Sequence, residues 1–493
     1  MSILFFLSSG LFLGWSNGAN NAGNVFGTAI GTHMVKFRTA AIVTSIFLIL
    51  GSVTSGTGAA LTLGKLGAVN EIAGAFIVTL STALAILFMT RFDLPVSTSQ
   101  SVVGAIIGWN LFSGSMTDYN SLVKIVSSWV VTPFITGIFA VLIYLLVRFI
   151  LNHVRIHLLI LDFWNRIGLV VVGGFGAYSL GANNIANVMG VFVTVSPFHP
   201  INTPFGMLTG TEQLFILGGM AMASGVLTYS YKVMKTVGSS IIQLTPISAL
   251  VVVFSSSFVL FLFSSQNLES FLASHGLPTI PLVPVSSAQA VVGALIGIGL
   301  LQGGRSIKFG QLGRIASGWV TAPIVACFIC FISLYIFQNV FSQKVYKNIR
   351  YNITENVSRK LIAEGIYFNS MDEFINKEFQ NYVEFKATLD RNASDLTPED
   401  LRRVIELAEI CHIKVDMEKI KYEITEGLFT FPQVVALEKL SGKEYNSLWE
   451  FKEDLQNTSH EWKLKEDIPA NRKWNRDVSS RIDYLAKKFW LDQ

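Results

Sequence analysis

GWSNGANNAGNVFGT, Gly14 to Thr28, interrupts a hydrophobic run with asparagines set among glycines and alanines. The pattern returns farther along the chain, where GANNAGNVFG from Gly18 is echoed by GANNIANVMG from Gly181, an offset of 163. Two further echoes keep the same order. PVSTSQSVVGAIIG from Pro95 recurs as PVSSAQAVVGALIG from Pro284, and KIVSSWVVTPFI from Lys124 recurs as RIASGWVTAPIV from Arg314. A long segment is therefore duplicated, and this internal repeat bears on the fold more than any single motif does.

The chain is mostly membrane. Its mean hydropathy is +0.50, with hydrophobic residues at 51% and charged residues at 14%, far from the balance of a soluble protein. Before about residue 340 the acids are Glu71, Asp93, Asp118, Asp162, Glu212 and Glu269, and the remainder follow in a segment that reads as an ordinary soluble domain. The net charge of +4 averages unlike regions, and no basic patch points to nucleic acid. Cys327 and Cys330 form one CxxC inside an apolar stretch and Cys411 is alone, which argues against a metal or redox site. The N-terminus lacks a basic n-region and a small-residue cleavage site, so its apolar run is expected to be a retained span.

Apolar runs of about 20 residues can cross a bilayer. They occur near residues 2–31, 39–62, 71–90, 125–150, 167–195, 211–231, 246–265 and 315–342, and the shorter runs from Pro95 and Pro284 bring the count to ten. Lys36, Arg38, Arg91, Arg148, Arg155, Arg166, Lys232, Lys235, Arg305, Lys308 and Arg314 then fall on one side, against Lys65 and Lys124 on the other. By the positive-inside rule the N-terminus is external. The same count places the tail outside, although Lys344, Lys347 and Arg350 favour the cytoplasm, so the side of the tail stays open.

Five elements per copy is an odd number, so the second copy enters the membrane from the opposite face. That is the inverted repeat of many secondary transporters, in which substrate and ion meet near the midplane between discontinuous helices. The expected fold is an all-α polytopic membrane protein with broken or re-entrant helices and a soluble helical C-terminal domain. Its segments are residues 1–166, 167–342 and 343–493. The expected location is the cell membrane, with several passes.

Glycine and asparagine cost a helix interior up to about 1 kcal/mol each relative to alanine, and unwound backbone in lipid must face protein or a watery cavity. The GANN stretches are therefore expected to be inward-facing breaks. Asn20, Asn21, Asn24, Asn183, Asn184 and Asn187 supply amide oxygens, hard ligands that suit sodium. Interhelical packing and hydrogen bonding explain one such stretch better; two at matched positions, each with three asparagines at the same spacing, reverse the preference in favour of the ion. In PVSTSQS and PVSSAQA each proline can start a helix whose free N–H groups attract an anion. Ser97, Thr98, Ser99 and Gln100, with Ser286, Ser287 and Gln289, surround those ends. The competing reading is an N-cap cluster that only closes a re-entrant helix. Arg91 and Asp93 flank the first copy without partners in the second, where Leu282 replaces Asp93, which places them at the interface. Titratable groups within the membrane are nearly absent, with Glu212 nearest to an apolar run, so sodium is a better coupling ion than the proton. No serine has an activating histidine and acid at triad-like spacing, and no enzyme activity is expected.

The ordered GANN and PVST elements, with YKVMKTVGSSIIQLTP from Tyr231, resemble the inorganic phosphate transporter family of sodium- or proton-coupled permeases over roughly residues 10–340. The resemblance implies a carrier that moves phosphate inward with cations by alternating access, without another cofactor. The family's usual motifs are GAND, VANA and PISTTH. Its aspartates fall on Asn21 and Asn184 of this chain and its histidines on Gln100 and Gln289, departures that leave the cation site without its usual negative charge. A sulfate permease of the same fold is the alternative, and a channel or membrane scaffold the alternative of another class. A homodimer is compatible with this reading, although no interface signature supports it. Ser370-Met371-Asp372-Glu373, Thr397-Pro398-Glu399-Asp400 and Ser447-Leu448-Trp449-Glu450 look like helix starts in the tail, for which a regulatory or oligomerisation role is the default.

Overall fold

The computed structural model describes residues 3–491 apart from 68, 92–95, 155–156, 205, 241–244, 305–308, 369, 394–395, 467 and 469–470. Asp93, Pro95, Arg155, Arg305 and Lys308, and the side chain of Arg91, lie outside the described residues.

The membrane part is helical. In order it runs α1 (Ile3–Gly31), α2 (Phe37–Ser55), α3 (Thr57–Gly67), α4 (Ile72–Arg91), α5 (Thr98–Ser113), α6 (Tyr119–His153), α7 (Leu158–Val193), a hairpin of β1 (Ile201–Thr203) and β2 (Gly206–Leu208), α8 (Gly210–Ser240), α9 (Pro246–Ser264), α10 (Gln266–Ser274), α11 (Ser287–Leu301) and α12 (Phe309–Asn339). Among the described residues seven helices are long and apolar enough to cross a membrane: α2, α4, α6, α7, α8, α9 and α12. On α6 the exposed stripe Val130, Phe134 and Ile138 is matched on α12 by Val320, Ile324 and Phe328, apolar surface of the kind that lipid covers.

Three expectations need correction. The GANN stretches are not breaks, because α1 and α7 run through them as continuous helices of 29 and 36 residues. Their glycines serve close approach instead. A Cβ at Gly18 would stand 1.9 Å from the Met222 carbonyl oxygen on α8, and one at Gly181 would stand 2.1 Å from that of Leu48 on α2. Small residues let helix backbones touch in this way. The run 39–62 is divided at Gly56 between α2 and α3, where Ile185 of α7 fills the position a Cβ would take, 2.2 Å away. The boundary at 166–167 falls inside α7, which begins nine residues earlier because His157 caps it by accepting from the Leu159 N–H.

Discontinuity lies elsewhere. Helices α5 and α11 have only 16 and 15 residues, about 24 Å at 1.5 Å per residue, and the described residues just before each, 96–97 and 281–286, are in no helix or strand. Each packs on a helix of the other copy. Gly104 of α5 meets the Pro323 carbonyl of α12 at 2.0 Å from its missing Cβ, and Gly293 of α11 meets the Pro133 carbonyl of α6 at 2.2 Å. The pairs α1–α8 and α7–α2 are matched across the copies in the same manner, with Gly225 against Trp15 and Gly51 against Tyr178.

Contacts separate a second compact unit, residues 347–493 together with the loop segments 113–116 and 198–210. It contains β3 (Tyr351–Asn352), α13 (Glu355–Ala363), α14 (Met371–Phe374), β4 (Glu378–Phe379), α15 (Tyr382–Asn392), α16 (Pro398–Ala408), β5 (Ile413–Lys414), α17 (Lys421–Thr425), α18 (Phe431–Lys439), β6 (Glu444–Tyr445), α19 (Leu448–Thr458) and α20 (Arg472–Phe489). The three expected helix starts are found, with Thr397 accepting from the Asp400 N–H.

This unit is itself a tandem. Tyr351 pairs with Phe379 and Asn352 with Glu378 in one module; Ile413 pairs with Tyr445 and Lys414 with Glu444 in the other. The Ile410 N–H donates to the Arg350 carbonyl and the Leu491 N–H to that of His412, both at 2.9 Å. Gly365 and Gly427 hold matching left-handed turns at φ +81 and +70, a conformation that favours glycine. KEFQNYVEFK from Lys377 then aligns with KEYNSLWEFK from Lys443. Each module has its own core, and each takes in a methionine from a loop between membrane helices: Met116 in the first, Met207 in the second.

Candidate substrate and ion site

Asn17, Asn21 and Asn24 lie four and three residues apart, so they share one face of α1. Asn21 donates to Asn17 Oδ1 at 3.0 Å, and Asn24 donates to Asn21 Oδ1 at 3.2 Å. Asn24 also donates to Ser287 Oγ at 3.2 Å, and Ser287 donates weakly back to Asn21 Oδ1 at 3.4 Å. On α7 the pattern repeats: Asn183 and Asn187 both donate to Asn184 Oδ1 at 3.2 Å, and Asn187 donates to Ser99 Oγ at 2.8 Å. The asparagines of each copy thus reach the serines of the other.

The helix entries match as well. The Ser101 N–H donates to the Ser97 carbonyl and the Ala290 N–H to the Ser286 carbonyl, both at 3.1 Å, so Ser97 and Ser286 stand at the N-caps of α5 and α11. Ser286 Oγ accepts from the Gln289 N–H at 3.3 Å, the usual capping bond. Thr98 opens α5 half-buried.

Two residues differ from their counterparts. Asn183 holds both backbone groups of Val285, accepting from the N–H at 2.9 Å and donating to the carbonyl at 2.7 Å, besides its bond to Asn184. Its counterpart Asn20 is exposed, and Val96, the counterpart of Val285, is half-buried. The second copy is latched where the first is open.

Several buried polar atoms here have no hydrogen-bond partner: Ser97 Oγ, Gln100 Oε1, Gln289 Oε1, Asn184 Nδ2, Asn187 Oδ1 and Asn17 Nδ2. An unpaired buried polar atom costs about 1–3 kcal/mol, and a cluster of them marks a place for a ligand or ordered water. Gln100 and Gln289 are 1% and 2% exposed. The set contains carbonyl-type oxygens, which suit a cation, and N–H and hydroxyl donors, which suit an anion. Asn17 was not among the expected ligands because Leu180 stands at its repeat position; its spacing from Asn21 on one helix face was the available signal. Glu212 sits in the first turn of α8, where a helix N-terminus favours an acid.

A polytopic helical protein with two matched, polar, incompletely paired helix entries belongs to the class of membrane permeases. The chain is a member of the phosphate transporter family, whose profile matches residues 17–269 and 277–437. That match continues into the tail, beyond the limit near residue 340 expected from the motifs. A protein of Pyrococcus horikoshii that carries the name of a phosphate permease is 24% identical over 65% of this chain and 94% of its own. One from Methanocaldococcus jannaschii is 26% identical, over 64% and 91%, and one from Haemophilus influenzae is 25% identical, over 68% and 96%. A solved structure described as the sodium-dependent phosphate transporter shares the fold, with a TM-score of 0.52 and 22% identity over 68% of this chain and 100% of that one.

Proposed function

We propose that this chain imports inorganic phosphate across the cell membrane, coupled to sodium, by alternating access between inverted copies. The observation that carries the reading is the cluster of unpartnered buried atoms at the matched entries of α5 and α11. Two roles then differ from the sequence expectation: Gln100 Oε1 and Gln289 Oε1, expected beside the anion, join Asn187 Oδ1 as neutral ligands for sodium, and Asn184, expected at sodium, turns its Nδ2 to the anion. Ser97 Oγ and Asn184 Nδ2, with the N-terminal N–H groups of the two short helices, bind the anion. The two ligand sets interleave, which lets one cargo stabilise the other through opposite charge. Alternating access is supported by the asymmetry between Asn183, latched to Val285, and exposed Asn20. In the opposite state the two copies would exchange these conditions.

Purified protein in liposomes tests this. Uptake of labelled phosphate that saturates, requires an inward sodium gradient and is outcompeted by phosphate but not by sulfate is the expected result. Uptake indifferent to sodium removes the coupling. Preference for sulfate reassigns the cargo, and flux that never saturates points to a channel.

A further inference from the structure

The tandem tail holds a cleft of about 760 Å³ between its two modules, within the range of small-molecule sites. Its walls come from the start of the first module and from the end of α16 with the entry to α19. Most of the charge on these walls is paired. Arg350 donates to Glu378 at 2.6 Å, Lys414 bridges Glu444 at 2.8 Å, and Asn356 donates to Glu450 at 3.2 Å. Glu409 is the exception, since its carboxylate has no hydrogen bond or ion pair among the described residues.

Two further atoms are unsatisfied. Ser447, 5% exposed, stands at the N-cap of α19 without making a capping bond, and its Oγ has no partner. The buried Oδ1 of Asn352 also lacks one. A serine at this position ordinarily accepts from the first turn of its helix; here the oxygen is unpaired, in a residue that lines the cleft. A carboxylate, an amide oxygen and a hydroxyl all accept, so a complementary ligand brings donors and positive charge. No group of three metal-ligating side chains among the described residues could hold a metal ion.

We propose that the cleft between the two tail modules binds a small organic cation, an ammonium or guanidinium compound, through Glu409, Ser447 and Asn352. Its occupant touches both modules, and each module holds a loop between membrane helices through Met116 or Met207.

The test is calorimetric titration of the full chain in detergent at pH 8 with agmatine, which carries both cationic groups. Saturable binding is expected, weakened about tenfold or more by Glu409→Gln, which keeps the shape and removes the charge. Ser447→Ala should weaken it several-fold, and it guards against a folding defect in the first variant. Absence of saturable binding at millimolar agmatine overturns the proposal, as does equal binding by both variants and the parent, or equal displacement by magnesium. None of these readouts involves phosphate, so the transport reading stands or falls separately.

Discussion

Asn187 donates its amide to Ser99 Oγ at 2.8 Å, a bond between a helix of one copy and a helix of the other. Ser99 in turn donates to the Val285 carbonyl at 3.1 Å, the same group that Asn183 holds. Its hydroxyl is committed on both sides, whereas that of Ser97, two residues away, is committed to nothing.

The two serines should therefore fail differently. Ser99→Ala leaves buried partners unpaired, a cost of about 1–3 kcal/mol, and is expected to lower thermal stability and transport rate with little change in KM for phosphate. Ser97→Ala removes an uncommitted donor and is expected to raise KM about tenfold at nearly unchanged stability. Uptake kinetics and melting curves on both variants check this, and identical behaviour removes the distinction.

Much of this arrangement was legible in the sequence. The duplicated motifs and the helix entries were readable from the chain itself, and the family resemblance agrees with the family match; that the asparagines of one copy bond the serines of the other was not, since the motifs placed them in separate ion and anion sets. Composition could not tell whether GANN breaks a helix or lets two helices touch. Both uses select glycine, and the partners, Met222 and Leu48, are remote in sequence. The latch of Asn183 was hidden because a side chain's choice between ion and backbone is a matter of distance. The tail's tandem had one signal in the sequence, KEFQNYVEFK from Lys377 against KEYNSLWEFK from Lys443; the matched glycines, Gly365 and Gly427, lie at a different offset, so only strand pairing fixes the register of the rest.

Gln100 and Gln289 test the cation side. Replacing either with leucine removes a buried, unpaired oxygen, which by itself relieves the site. The variants are therefore expected to fold at least as well as the parent while needing about tenfold more sodium for half-maximal uptake. Sodium titration of phosphate uptake measures it, and an unchanged requirement in both variants reassigns the ion ligands.

Helix contact through glycine makes a packing prediction. Gly104→Val and Gly293→Val place a branched side chain where the Pro323 and Pro133 carbonyls already stand, and overpacking of this kind costs about 1–3 kcal/mol or more. Both are expected to express poorly or melt early in detergent. Gly310→Ala and Gly313→Ala, on the open start of α12 with nothing near their Cβ positions, should be neutral or gain up to about 1 kcal/mol from helix propensity.

Glu409 gives the tail a pH signature. Burial, with the Glu406 charge nearby, pushes its carboxyl from 4.5 up to about 7. Between those values the folded tail binds more protons than the unfolded chain, so its stability falls as pH rises across the window. Above it the deficit levels off at up to about 3 kcal/mol. Glu409→Gln removes the ionisation, and the variant tail should be more stable than the parent at pH 8 and nearly equal to it at pH 4.5. Pulse proteolysis of the tail in the full chain, at matched denaturant and several pH values, reads this directly. Parallel curves for parent and variant mean that Glu409 ionises in the folded tail as it does in the unfolded chain.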